Sequence, residues 1–500
     1  MPTIPFGEFK PDLSEFANDG STIASGVQPY FDSYKPQPNL GSNLSTALTA
    51  RVQGAFSVTE TTDGRADNFA ADTSKLYLIR NGNVTDVSKA GGYDIQVDET
   101  VEFAVFNNKA ISCAVEEPLQ FRALDGTESL FADLATSTLK PQARHIGVIN
   151  QFVMLGNVIE GSAKYPNRLR WSAFNDETDY DQAASTQSDK QDLEGDIGRI
   201  QKVVGGGEYG VIFSQKSIHR IEYVGSPEIF QVVWVEQNRG TIAPNSVVSW
   251  GRKTYFLSDD GFFEFDGSVS RPISHGKVSK WFFDNLHASE FFYRISAGVD
   301  STNSLVYWTC VTKSATGDFP NCDRVIVYHW PSGRWGYSDI TTEMVFTGLA
   351  EGLTLEEVDG LSSSIDALGL SLDAQFFLGG KIRVSAFDSS HILKAFDGSN
   401  IAATMETGSH QLIPGRRALV NGFEPLVDGG TLTGAVASIE RLKDTYTYDT
   451  ANAQETEGHI PALNTGKYHK FRVSVAAGGS FDHAQGILLA AEDFVDDGAY

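Results

Sequence analysis

Gly276-Lys277 ends a stretch that could hold a phosphate, a task that needs backbone amides and an ammonium group. The stretch departs from a phosphate loop at two places. Arg271 stands where such a loop has its first glycine, and Val278 where it has the hydroxyl residue that binds magnesium. Gly205-Gly206-Gly207 has suitably small residues, but no helical pattern follows, so a tight connection between strands is the better reading. The ten histidines show no H-x₃₋₅-H spacing for a metal. The 64 acidic residues offer many carboxylate pairs for glycoside chemistry and single out none. Three cysteines do not make a disulfide framework. Cys310 and Cys322 could face each other across a hairpin and Cys113 has no evident partner, so three buried thiols in a reducing compartment are expected. There is no H-E-x-x-H, G-x-S-x-G or C-x-x-C. The sequence therefore nominates no catalytic, cofactor-binding or metal-binding residue, and the expectation is a protein that is not an enzyme.

The elements that would position any site are short strands. From residue 49 to 405, apolar runs are punctuated by Asp-Gly, Asn-Gly and Ser-Gly turns. Lys75–Arg80 turns at Asn81-Gly82 into Val84–Val87, and Thr254–Leu257 turns at Asp260-Gly261 into Phe262–Phe265. Gly210–Phe213 is followed by Ser217–Tyr223, and Arg324–Trp330 by Trp335–Tyr337. Some strands alternate polar and apolar residues, whereas Phe256-Leu257 and Val211-Ile212-Phe213 are apolar on both faces. That mixture suits propeller blades, whose inner strands are covered on both sides by neighbouring blades. At roughly 40–50 residues per blade, residues 49–405 hold about six or seven blades. Val278, Trp281, Phe282 and Leu286 share one helical stripe, so a short surface helix is expected there. Residues 351–373 read as a loop or helical insertion.

Outside the propeller lie two further regions. Residues 1–48 hold six of the chain's prolines, and an extended arm without a regular ladder, docked on a neighbouring subunit, is expected. Residues 406–500 read as a C-terminal β-domain, with strands at 416–420, 430–436 and 468–475 and a polar, mobile-looking stretch at 444–457. Glycine (48) and phenylalanine (32) are abundant, as turn-rich, aromatic-rich β structure requires. The formal net charge of −25 opposes wrapping of nucleic acid or binding to an anionic membrane surface. The first residues lack a signal-peptide pattern, and no apolar run reaches transmembrane length, so synthesis in the cytoplasm without a membrane anchor is expected.

Asp259-Asp260-Gly261 is similar to the centre of the Asp box of sialidase-type propellers, but Leu257 and Phe263-Glu264 do not fit its flanks. A more extended likeness runs in order along the chain. It comprises Arg168–Ser172, Ile197–Ile200, Gly205–Phe213, Ser217–Gly225, Gly240–Val248 and Tyr255–Gly267, with weaker echoes at Pro5–Glu8 and Tyr468–Val473. These segments resemble the propeller proteins that form the tail nozzle, or head-closure hub, of short-tailed bacteriophages. The resemblance implies a homo-oligomeric, hexameric ring in the virion tail. The ring would lie below the portal, bound to the adaptor and other tail proteins, and conduct phage DNA without sequence-specific contacts. It implies no catalytic residues. The acid excess would then keep the duplex mobile in the ring's lumen. The alternative expectation is a tail-associated propeller that binds or hydrolyses carbohydrate.

Overall fold

A computed structural model describes residues 3–16, 19–61, 64–115, 117–126, 130–317, 319–350 and 380–498. Its dominant feature is a circle of antiparallel sheets, each running outward from an axis. Five have four strands, and a sixth blade is formed by four strands of a larger sheet. The first blade is Gly54–Thr59, Ala66–Ala71, Leu76–Arg80 and Asn83–Asp86, and the second is Glu102–Phe106, Lys109–Cys113, Gln120–Ala123 and Ala132–Asp133. The third is Gln142–Ile149, Phe152–Glu160, Ala163–Trp171 and Asp189–Asp192, and the fourth is Ile200–Val204, Tyr209–Ser214, Ser217–Gly225 and Ile229–Gln237. The fifth is Val248–Trp250, Lys253–Leu257, Phe262–Phe265 and Ser270–Pro272, and the sixth is Ser296–Asp300, Leu305–Cys310, Arg324–His329 and Arg334–Ser338. A three-stranded sheet, Met344–Leu349, Ile382–Phe387 and Leu393–Ala395, completes the circle between the sixth blade and the first. The protein is a mainly β chain built on a β-propeller.

The central strands of the blades show why the sequence folds this way. Ala66–Ala71, Phe262–Phe265 and Leu305–Cys310 are buried at every residue, since a neighbouring blade covers each face. Between the fourth and fifth blades the contact is aromatic: Phe213 lies 4.9 Å from Phe256, and Phe256 stacks on Phe263 at 5.7 Å. The four hairpins fall where the turn residues put them. At Asn81 and Gly82, φ is +50° and +74°, as a type I′ turn requires.

The circle is closed by the chain's own N-terminal segment. Leu44 N donates to Leu393 O (2.7 Å), Leu48 N to His391 O (3.0 Å) and Thr46 N to Gly82 O (3.0 Å), so residues 44–48 join the last sheet to the first blade. The buried Glu343 carboxylate adds to the seam, accepting from Val52 N at 3.2 Å with His391 Nδ1 at 2.8 Å.

Beyond the propeller, the sheet of the sixth blade continues outward. Arg334–Ser338 is followed by Ser21–Ser25, Ala403–Thr407, Tyr468–Val475 and Leu432–Ile439 in one ten-stranded sheet. At the junction Gly26 N donates to Tyr337 O (2.8 Å). Gly26 has φ +69°, and a Cβ there would lie 2.1 Å from Ala402 O, so only glycine fits. A second sheet holds Val27–Tyr30, Ser33–Pro36, Ala484–Leu488, Ala418–Val427 and Ile460–Gly466, with Thr3–Pro5 and Phe494–Asp496 added. One hydrophobic cluster spans both bodies, containing Phe262, Trp308 and Trp335 with Phe423 and Phe471.

The proline-rich segment departs from the expected arm. It forms four strands in its own chain's sheets, and Phe6, Phe9, Val27 and Tyr34 are fully or almost fully buried in the shared core. Its prolines are tolerated because Pro29 sits on an edge strand and Pro36 ends a strand, where ladder donors are not needed. The polar stretch 444–457 is also partly ordered, with Thr447–Tyr448 and Asn452–Ala453 each pairing with Leu432–Ile439. The expected helix is present as α1, Ser279–Asn285, with Val278 and Leu286 as its caps and Phe282 buried. Asp12 accepts from the N–H groups of Lys280 (2.8 Å) and Trp281 (2.7 Å), so the N-terminal segment also caps α1. The insertion expected at 351–373 lies outside the described residues.

Candidate functional site: the axial cavity and its mouth

The first strands of the sheets face a common axis and enclose a cavity of about 620 Å³. Phe103, Ile146, Val148, Trp250 and Phe346 are among its lining residues, so the wall is largely apolar. Its volume is that of a small-molecule site rather than a duplex channel. Two charged residues line it, Glu102 and Lys202, and they pair with each other at 2.8 Å. At the mouth, where the first strands begin, a funnel of about 500 Å³ carries Asp98, Glu99, Arg144, Arg199, Glu290 and Tyr293. Arg144 pairs with Glu99 there. Acid and base nearly balance in the lining, so the chain's acid surplus is not gathered on the propeller axis.

Glu102 organises the throat. Its Oε1 accepts from Lys202 Nζ at 2.8 Å and has His145 Nδ1 at 2.9 Å, while Oε2 accepts from Ile146 N at 3.2 Å. One carboxylate thereby ties together the first strands of the second, third and fourth blades. Burial alone would raise its pKa, but the Lys202 ammonium and His145 outweigh that and hold it down to about 2. Nothing in the sequence marks these residues as a set, since Glu102 and Lys202 lie far apart. The only signal is a charged residue beside apolar ones on a strand, Val101-Glu102-Phe103 and Lys202-Val203-Val204.

The residues weighed as chemical candidates serve the fold. Gly206 N donates to Val148 O (3.0 Å) and Asn150 N to Gly206 O (2.9 Å), so the glycine stretch bonds the third blade. A Cβ on Gly205 would lie 2.3 Å from Val148 O, which explains the small residue there. Lys277 Nζ donates to Gly333 O at 2.9 Å. Asp259-Asp260-Gly261 is a hairpin turn in the fifth blade, with Asp260 Oδ2 3.7 Å from Arg239. Arg168 makes two bonds to Asp192 (2.6 and 2.8 Å) and one to Glu160 (3.0 Å), stitching the outer strands of the third blade. All three cysteines are free and buried, and burial pushes each thiol pKa up. Among the described residues, no group of three or more His, Cys, Asp or Glu could hold a metal ion.

These features define a β-propeller with an appended β-sandwich that shares its sixth sheet. No protein-family model matches the chain, and no curated protein matches it. Among solved structures, the Pan2 WD40 domain of Neurospora crassa is similar at 7% identity, covering 73% of this chain and 96% of that one with a TM-score of 0.40. BamB from Moraxella catarrhalis matches at 8% identity over 74% and 92% of the two chains, TM-score 0.36. AztD from Citrobacter koseri matches at 14% identity over 57% and 71%, TM-score 0.28.

Proposed function

We propose that the chain is a structural subunit of a short-tailed phage tail. In this reading, copies form a closed, hexameric ring below the portal and adaptor. The ring conducts DNA during ejection and helps retain it beforehand. The chain acts without catalysis or a cofactor and resides in the virion tail.

The observation that carries the reading is the construction of one stiff body from two β-units. A continuous ten-stranded sheet and one hydrophobic cluster join propeller to sandwich, and the N-terminal segment is threaded through both. A ring subunit that must keep its shape under DNA passage needs that rigidity, because ring contacts are heterologous and close only if every copy has the same geometry. The propeller axis is too narrow and apolar for a duplex, so in this reading DNA passes through the centre of the ring of subunits. The ordered likeness along 167–286 supports the assignment and maps mainly to the third, fourth and fifth blades. Imaging of particles containing this chain tests it: a sixfold ring on the tail axis supports the assignment. A single copy, or a threefold peripheral spike, overturns it.

A further inference from the structure

We propose that the groove between the third and fourth blades at the outer rim binds a neutral sugar ring. The proposal is independent of the ring assignment. The groove is a cavity of about 280 Å³, lined by Gln191, Asp192, Glu194, His219 and Trp234 over Leu193 and Val232. That volume lies just below the range of drug-sized sites and suits one small ring.

Trp234 supplies an apolar platform. It lies on the outermost strand of the fourth blade, is 40% exposed, and is the cross-strand partner of His219, with ring centroids 4.4 Å apart. Gly195, at φ +91°, sits against the indole, where a Cβ would come within 3.2 Å, so the loop borders the platform and helps fix the ring. Large exposed aromatics beside polar groups are how proteins stack the C–H face of a sugar while bonding its hydroxyls.

His219 is the second and independent pointer. It is 1% exposed, its Nδ1 lies 3.5 Å from Ser217 Oγ, and its Nε2 has no hydrogen-bond partner. Burial pushes its pKa down to about 4, so the imidazole is neutral near pH 7. An unpaired buried imidazole nitrogen is costly. A hydroxyl satisfies it in either tautomer, because a hydroxyl both donates and accepts.

The remaining groups select against charge. Both Asp192 oxygens already accept from Arg168, which offsets that charge while leaving lone pairs for further donors. Glu194 is exposed and makes no ion pair among the described residues. An anion would meet Glu194 and Asp192, whereas a polyol donates to both.

The test uses the full chain and a panel of methyl pyranosides and N-acetylhexosamines, read by saturation-transfer NMR and calorimetry. At least one member should bind with Kd of about 1–10 mM, a reasonable strength for one ring on an exposed platform. Trp234→Ala and His219→Phe should each weaken it at least about tenfold, while Trp234→Phe keeps most of it. Glu194→Gln and Gln191→Ala, at exposed positions, should weaken binding without affecting folding. The proposal fails if no sugar binds below about 50 mM, far weaker than a specific single-ring site. It also fails if these variants bind like the parent. Tighter binding of tetramethylammonium, or displacement of the sugar only by strand-forming peptides, would assign the groove to a cation or to an edge-strand partner instead.

Discussion

Glu102→Gln isolates the electrostatics of the axial throat with almost no change in volume. The carboxyl's fall from 4.5 in the unfolded chain to about 2 in the folded one corresponds to about 3 kcal/mol of stabilisation at neutral pH. A folded-state pKa below the unfolded value gives stability that is full above pH 4.5 and is lost as pH falls through 2. The glutamine variant should therefore be less stable than the parent by about 3 kcal/mol at pH 7, a gap shrinking to about 1 kcal/mol at pH 3. Groups that do not interact with Glu102 cancel in that difference, leaving the carboxylate and its partners Lys202 and His145. Urea unfolding followed by far-UV circular dichroism at both pH values measures it. Lys202→Met should be at least as damaging, since it strands a buried carboxylate, and the double variant should recover about 1–3 kcal/mol of coupling. A pH-independent gap, or one below about 0.5 kcal/mol at pH 7, would refute this account of the throat.

Three further outcomes follow from the packing and charge. Phe256→Asp should cost more than about 4 kcal/mol, because the residue is 0% exposed between two blades and the new charge has no partner there; soluble expression and near-UV dichroism check it. Deleting residues 1–48 should abolish the native fold, since it removes Phe6, Phe9 and Tyr34 from the core together with the ring-closing backbone bonds; limited proteolysis of the truncated chain distinguishes this from a dispensable arm. Self-assembly should strengthen with added salt, because subunits of net charge −25 repel each other and screening acts over about 8 Å at physiological ionic strength; mass photometry across a salt series reads it.

Much of the propeller is legible in the sequence because its determinants are local. Asn81-Gly82 and Asp260-Gly261 set hairpins, and runs such as Phe262–Phe265 announce strands covered on both faces. The stripe from Val278 to Leu286 likewise specifies α1. The N-terminal segment misleads because its prolines argue against a ladder, while its partners lie hundreds of residues away: Ser25 pairs with Thr404, and Ile4 with Ile487. Edge positions remove the objection to proline, but no local pattern reveals which strand will be an edge. The same distance hides the sites. Glu102 meets Lys202 across the inner strand of the third blade, and Asp192 lines one groove with Trp234, only because the propeller lays its blades side by side.

Cryo-electron microscopy of the assembled particle, reconstructed without imposed symmetry around this chain, tests the central claim most directly. The account predicts six copies in a closed ring on the tail axis, each a propeller and sandwich in one fixed relation, around a lumen wide enough for duplex DNA. A lone copy off the axis, or a ring whose only opening is the propeller's own apolar cavity, would contradict it.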